Sequence, residues 1–332
     1  MDRSKYCISA FKSKKSIESN TIRLCHDLEV YIHEHENQKS KKSLEKYSAR
    51  MLQILKNNHK LSKTENLKIK IGQIFQQYNT IELVLVNITV FDLEMAEVLF
   101  HIFILSIETP LESYFVLNSQ NLGKLLITPV SSLDLDLLSG QFFRDLLKHR
   151  AIFVAFLTLE IFNGLIEAAC NQMFEIQSDA CVSLRSLLTG QDSPSFINKN
   201  SYEILDGLYR CSETNYYVKR SSLKLLYSLL SIEENQDFSC YFIENKENLK
   251  YAMRLMREET HCEIKIEGFL IFSQICKIVL MREDKDRLDA YKIILKNKGM
   301  LIKYLSKFQQ DREDNNFHTI RSQVISFISN LP

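Results

Sequence analysis

The densest group of side chains that could bind a metal is His33-Glu-His-Glu36. Imidazole nitrogens and carboxylate oxygens are zinc ligands, so these residues would form a site if they converged. Residues two apart on a helix, however, point about 160° away from each other. The pattern therefore favours the solvated end of a helix, and we predict neither a bound metal nor a cofactor.

Motifs for nucleotide, calcium or covalent chemistry are missing from the sequence. The eight glycines stand too far apart for a phosphate-binding loop. Asp134 and Asp136 have the spacing of two calcium ligands, but the central Gly and the final Glu of a calcium loop do not follow. No Ser or Cys lies in a strand–turn–helix elbow. We predict that the protein is not an enzyme; the rival interpretation is an unrecognised active site between helices.

Recognition of a partner is a different kind of chemistry, and Tyr216, Arg220 and Lys224 have the residue types for it. They follow one another at four-residue spacing, which places them on one face of a helix. An aromatic ring and two cations can bind the aromatic and acidic groups of another protein. A solvated helix face gives the same pattern, so the spacing alone leaves both interpretations open.

Composition limits the class of partner. The 332 residues include 42 basic and 41 acidic side chains, so no overall field favours nucleic acid or anionic lipid. Only eight Gly and four Pro are present, and a chain with so few turn residues is predicted to form helices with short connections.

The sequence also bears on location. The longest apolar run, 151–162, is about half of a membrane span and contains Glu160, so it predicts one buried helix and no membrane span. The eight cysteines are scattered and follow no secretory signal, which is typical of reduced thiols in a cytoplasmic protein.

A repeat positions these helices. The apolar pattern of residues 176–188 returns 42 residues later at 218–230. Three weaker copies occur. One lies 41 residues before the copy at 176–188 and ends at 144–147, and one lies earlier still at 97–105. The third lies at 264–272 and starts 46 residues after residue 218. A helical period near 42 residues is typical of armadillo and HEAT units, which bury their apolar faces only by stacking.

We therefore predict an all-α, armadillo/HEAT-like solenoid that forms a curved right-handed superhelix. Residues 1–20 are polar and predicted to be a flexible N-terminus, and residues 21–330 are predicted to form a single helical-repeat domain. Such a solenoid presents a long concave surface, which favours protein binding over catalysis.

Four ordered segments in the C-terminal third give the sequence a recognisable likeness. They are residues 217–226 (YVKRSSLKLL), 247–250 (ENLK), 294–297 (ILKN) and 301–309 (LIKYLSKFQ). With weaker collinear segments such as 109–114, the chain resembles the calcium-binding protein thirty-nine family, the Mo-twenty-five kinase scaffolds, over about residues 10 to 312.

The resemblance implies a non-catalytic scaffold that binds Ste-twenty or germinal-centre kinases, or pseudokinases, and stabilises their active conformation. It implies a pocket for a Trp-Glu-Phe type tail of the partner at Arg220, Met253 and Lys296. It also implies a concave surface that faces the kinase at Tyr216 and Lys224.

The chain departs from the family just after the helix of Lys224. Where the family has Arg and Phe, an ungapped alignment places Glu233 and Gln236, so the surface that faces the kinase is predicted to be altered there. An alternative function is an armadillo-type peptide carrier or adaptor without kinase activation. The absence of Trp argues against it, because such carriers line their grooves with Trp and Asn ladders.

Overall fold

The computed structural model describes residues 3–34, 37–58, 65–130 and 132–332. Within these ranges the regular structure is helical, without strands, as the prediction of an all-α helical-repeat fold requires. The chain divides into two compact units, Met1–Leu187 and Leu188–Pro332. Two residues of the histidine–glutamate group, His35 and Glu36, lie outside the described residues.

The first unit is built from helices that pack on some of their neighbours in the chain and on helices three places away. They are α1 Arg3–His33, α2 Gln38–Asn58, α3 Glu65–Gln77, α4 Thr80–Val86, α5 Leu93–Leu105, α6 Thr109–Leu117, α7 Ser119–Ile127, α8 Leu133–Leu146, α9 Arg150–Phe156, α10 Leu159–Ala169 and α11 Phe174–Leu188, whose last residue opens the second unit.

The second unit continues the same construction. Its helices are α12 Ser193–Lys199, α13 Ser201–Ser212, α14 Tyr216–Ser231, α15 Gln236–Glu244, α16 Lys246–Glu258, α17 Cys262–Met281, α18 Asp289–Lys296, α19 Lys298–Lys307 and α20 Asn315–Ser329.

The five copies of the sequence repeat fall on every third helix, namely α5, α8, α11, α14 and α17. Within the first unit α2 packs against α5 and α5 against α8; within the second, α14 packs against α17 and α17 against α20. Each repeat therefore supplies one helix to a stack, which is how armadillo units bury their apolar faces.

The core of the second unit shows why this stacking stabilises the fold. Phe238, Phe242, Phe269 and Phe272 have no exposed surface. Burying one such side chain contributes about 1.5–3 kcal/mol, so the aromatic residues of α15 and α17 are a major part of what holds this unit together.

The apolar run 151–162 is not one helix, so that prediction is wrong. The run is divided between α9 and α10, because the backbone of Thr158 is extended and its hydroxyl accepts a hydrogen bond from the Ile161 N–H. Threonine at this position caps a new helix. Among the described residues, no single helix has both the length and the apolar content that crossing a membrane needs; two pairs of helices meet that test only when joined across a bend.

Candidate functional site

The α14 stripe, by which we mean Tyr216, Arg220 and Lys224, begins at the first residue of its helix. Asn215 caps that helix, because its side-chain oxygen accepts a hydrogen bond from the Val218 N–H at 3.1 Å. The opposite side of α14 is buried and includes Val218, Leu225 and Leu229. The helix is thus held on its apolar side, and the stripe faces outward.

The cations of the stripe reach carboxylates on α17. Arg220 Nη2 lies 2.6 Å from Glu263 Oε2, and Arg220 Nε lies 3.5 Å from Glu267 Oε1. Lys224 Nζ lies 3.9 Å from the same Glu267 oxygen. Two neighbouring turns of α14 are therefore tied to two neighbouring turns of α17.

Glu267 is the buried centre of this arrangement. Its side chain is 4% exposed, whereas those of Arg220 and Lys224 are 32% and 52% exposed. Burial raises the pKa of the Glu267 carboxyl, although Lys224 and Arg220 oppose that shift. The carboxylate thus holds two cations that keep part of their surface in solvent.

A further cation closes the network. Arg312 Nη1 donates to the second oxygen of Glu263 at 3.2 Å. Asp314 pairs with Arg312 and caps α20, because its carboxylate accepts the Phe317 N–H. The pKa of Asp314 is lowered by that hydrogen bond and by Arg312. Glu263 is therefore shared between α14 and the start of α20.

Tyr216 occupies the other end of the stripe. Its side chain is 41% exposed, and its ring centroid lies 4.7 Å from that of His261, which immediately precedes α17. An exposed aromatic ring supported from one side is suited to contact a partner.

Glu233 and Gln236 lie apart from these groups. Glu233 is in the turn that follows α14, Gln236 is the first residue of α15, and both are exposed. The seven residue-to-residue steps from Lys224 to Ser231 correspond to about 10 Å of helix. The structure thus places these two predicted residues beyond the far end of α14 and does not bring them into the Glu267 network.

Met253 lines an open groove of about 480 Å³ between α16 and the α18–α19 pair, which we call the tail groove. Its apolar lining comprises Met253, Met256, Ile293, Met300, Leu301 and Tyr304. Its exposed polar rim comprises Glu247, Lys250, Arg254 and Arg257, and Asn297 completes the lining. A soft apolar floor with charged edges can hold an aromatic side chain of a peptide.

The other two predicted pocket residues are placed differently. Lys296 is exposed at the end of α18, next to Asn297 in the groove lining. Arg220 does not line this groove; it lies on α14, and α17 packs against both α14 and α16. The structure therefore places Met253 in the groove lining, Lys296 next to that lining in sequence, and Arg220 at the α17 carboxylates.

Close packing of α16 on α17 fixes one wall of the tail groove. A Cβ added at Gly268 would lie 2.6 Å from the Leu255 Cβ, closer than such atoms approach in proteins. The Tyr304 hydroxyl donates to the Met256 carbonyl at 2.8 Å and thereby holds α19 to α16. Sequence reasoning missed Tyr304 and Met300, although the exposed side chain of Met300 continues the apolar side of α19.

These features can be set beside known proteins. A family model described as Mo25-like matches residues 9–332, which include the α14 stripe and the tail groove. The chain belongs to the Mo25-like family. The family predicted from the four C-terminal segments is thereby confirmed.

Curated Mo25-like relatives align over part of the chain. The degreening-related dee76 protein of Auxenochlorella protothecoides is 30% identical over 193 residues, which are 57% of this chain and 58% of the relative. The Mo25-like protein of Schizosaccharomyces pombe is 30% identical over 197 residues, 58% of each chain. The calcium-binding protein 39-like protein of Homo sapiens is 29% identical over 196 residues, 58% of this chain and 56% of that one.

These alignments span less than two thirds of each relative's length. Among solved structures, an engineered protein aligns with 89% of this chain and 71% of its own at a TM-score of 0.48 and 12% identity, a similarity too weak to carry an argument. Membership of the Mo25-like family supports a scaffold-type protein.

Proposed function

We propose that this Mo25-like protein is a non-catalytic scaffold that binds a protein kinase or pseudokinase of the Ste-twenty or germinal-centre type and activates it allosterically. The observation that carries the proposal is the pairing, within one unit, of an exposed stripe of aromatic and cationic side chains with a peptide-sized apolar groove. The stripe would contact the kinase and the groove would hold its tail.

Activation would arise from a difference in affinity. A scaffold shifts a kinase toward its active conformation only if it binds that conformation more tightly. Tyr216, Arg220 and Lys224 offer contacts with defined positions, because the α17 carboxylates hold the two cations in place. Exposed Glu233 and Gln236 would extend this surface past the end of α14 and adjust which partner fits.

The tail of the partner would insert its aromatic side chains between Met253 and Met300. Lys296 and the basic rim of the groove would pair with the carboxylates of a Trp-Glu-Phe type tail. Because Arg220 does not line the groove, we assign it to the kinase-facing stripe. Direct contact of Arg220 with the tail would appear as weaker binding of the tail peptide to Arg220→Ala.

Binding of a fluorescent peptide that ends in Trp-Glu-Phe tests the groove. Met253→Ala removes part of the apolar wall and is expected to weaken binding about fivefold to tenfold, measured by anisotropy. Met281→Ala is the matched control, because Met281 is 72% exposed and lies outside the groove. Equal affinities for wild type and Met253→Ala would contradict the groove assignment.

A kinase assay separates activation from simple tethering. Adding the scaffold to a purified Ste-twenty-type kinase is expected to raise the rate at which a generic substrate is phosphorylated. If the kinase binds tightly and its rate does not change, the protein is an adaptor of the armadillo type and the activator proposal is wrong.

A further inference from the structure

A second groove continues from the tail groove along α19. We call it the basic groove; its volume is about 530 Å³, and it shares Met256, Arg257, Met300 and Tyr304 with the tail groove. Its own lining adds Lys265 from α17 and residues of α19. A peptide held in the tail groove could therefore extend into the basic groove without leaving the surface.

The charge of the basic groove has one sign. Arg257, Lys265, Lys303 and Lys307 line it, and no acidic side chain does. Among the described residues, Lys265, Lys303 and Lys307 form no ion pair, whereas Arg257 contacts Glu258. Three cations beside one another without a carboxylate repel each other, and an anionic ligand would relieve that repulsion.

Elsewhere in this unit the lysines are divided between ion-paired and unpaired side chains. Exposed lysines such as Lys199 form no ion pair with a described residue, whereas five others lie within 4 Å of a carboxylate, namely Lys219, Lys224, Lys246, Lys250 and Lys292. What distinguishes the basic groove is that three unpaired lysines line one continuous surface that no carboxylate lines.

The floor of the basic groove is apolar and held in place. Phe308 is buried, and its ring centroid lies 5.5 Å from that of Tyr304. The Tyr304 hydroxyl is fixed by the Met256 carbonyl, and the Met300 side chain is 69% exposed. A binding site with an apolar floor and cations along its sides suits a peptide better than a bare phosphate backbone, whose binding rests mainly on charge.

We propose that the basic groove binds an acidic segment of the partner's chain, rich in Asp or Glu, that lies next to the aromatic tail. This inference rests on the proposed function, since it treats the two grooves as one continuous peptide site. Carboxylates of the segment would pair with Lys303 and Lys307 on α19 and with Lys265 on α17. Specificity would then depend on acidic residues outside the tail itself.

Peptide anisotropy with the full chain tests the proposal. The first probe is the Trp-Glu-Phe peptide alone. Further probes add four Glu or four Gln to that peptide, at either end. The last probe is the Glu-extended peptide with its Trp and Phe replaced by Ser. At low salt the better Glu extension is expected to tighten binding about threefold to tenfold over its Gln counterpart. The gain should shrink as salt is added.

Two double variants locate the gain. Lys303→Gln with Lys307→Gln is expected to abolish it, because the side chains keep their length and lose their charge. Lys199→Gln with Lys277→Gln is the matched control, since both lysines are exposed in the same unit and line neither groove. A gain that is absent, or equal in both double variants, overturns the inference.

The remaining outcomes separate this inference from the proposed function. If the aromatic peptide fails to bind while the four-Glu peptide without aromatic residues binds through Lys303 and Lys307, the tail assignment fails and the acidic-segment site stands. If neither binds, both are wrong. The last outcome compares two competitors of the labelled Glu-extended peptide: a single-stranded oligonucleotide of equal charge and the unlabelled peptide. If the oligonucleotide displaces the labelled peptide more effectively, the groove is a nucleic-acid surface and the inference is overturned.

Discussion

Each unit contains an arginine that pairs with the next helix of its stack, and the two arginines have different surroundings. In the first unit, Arg144 of α8 lies 2.8 Å from Asp179 of α11, with side chains 16% and 19% exposed. Arg144 also donates to the Ser183 hydroxyl at 2.8 Å. In the second unit, Arg220 is 32% exposed and shares its carboxylates with Lys224 and Arg312.

The difference separates a structural pair from a surface suited to binding. Asp179 has one cationic partner and little contact with water, so neither member can be lost without leaving a poorly solvated charge. Even Gly140 of α8 is needed there, because an added Cβ would lie 1.9 Å from Asp179 Oδ2. Around Arg220, each carboxylate has a second cation, so the network tolerates a change and its cations can face a partner.

The largest effect on folding is expected from Arg144→Ala. The substitution leaves the Asp179 carboxylate largely buried without its cation, which we expect to cost about 2 kcal/mol of unfolding free energy. Urea unfolding measures the change, and the affinity for the Trp-Glu-Phe peptide should stay the same. A stability equal to that of the wild type would remove the contrast between the two arginines.

Arg220→Ala is expected to cost less, about 1 kcal/mol or below. Glu263 keeps Arg312 and Glu267 keeps Lys224, so neither carboxylate is left alone. The same urea measurement applies, with Arg210→Ala as the control because Arg210 is an exposed arginine on α13. A loss as large as that of Arg144→Ala would mean that the network is structural.

The smallest effect concerns pH. Because burial raises the folded-state pKa of Glu267 above its ordinary value of 4.5, its contribution to stability is present at lower pH and is lost as the pH rises through the folded-state pKa. The wild type should therefore lose stability relative to Glu267→Gln as the pH rises above 4.5. Thermal melts from pH 4 to 7 measure the difference.

Two control variants check the sign of that pH effect. The pKa of Asp179 is also raised by burial, so Asp179→Asn should show the same trend in the first unit. The pKa of Asp314 is lowered, so the comparison with Asp314→Asn should show the opposite trend. In that comparison the wild type should lose stability relative to the variant as the pH falls. Identical trends for Glu267 and Asp314 would contradict this account of the network.

Much of the helical construction could be predicted from local sequence. Three- and four-residue spacing identified α11 and α14, and the same spacing put Tyr216, Arg220 and Lys224 on one face. These predictions succeed because a helix relates residues that are close in the chain. The break at Thr158 was missed, because the apolar run around it hides a single capping hydroxyl.

The partners of the stripe could not be predicted in this way. Glu263 and Glu267 follow Arg220 by 43 and 47 residues, and only the stacking of α14 on α17 brings them together. The tail groove likewise combines residues of α16, α18 and α19. Resemblance supplied Met253 and Lys296, but Tyr304 and Met300 required the packing of three helices.

The most direct test is to titrate a purified Ste-twenty-type kinase with the wild type, with Arg144→Ala, and with Tyr216→Ala plus Lys224→Gln, which leaves Arg220 beside Glu267, below the melting temperature of each protein. We expect Arg144→Ala to stimulate the kinase at saturation as strongly as the wild type does, despite its lower stability. The double variant should fold and lose most of the stimulation. Full stimulation by the double variant, or stimulation that follows the stability of the three proteins, would contradict the assignment of kinase activation to the α14 stripe.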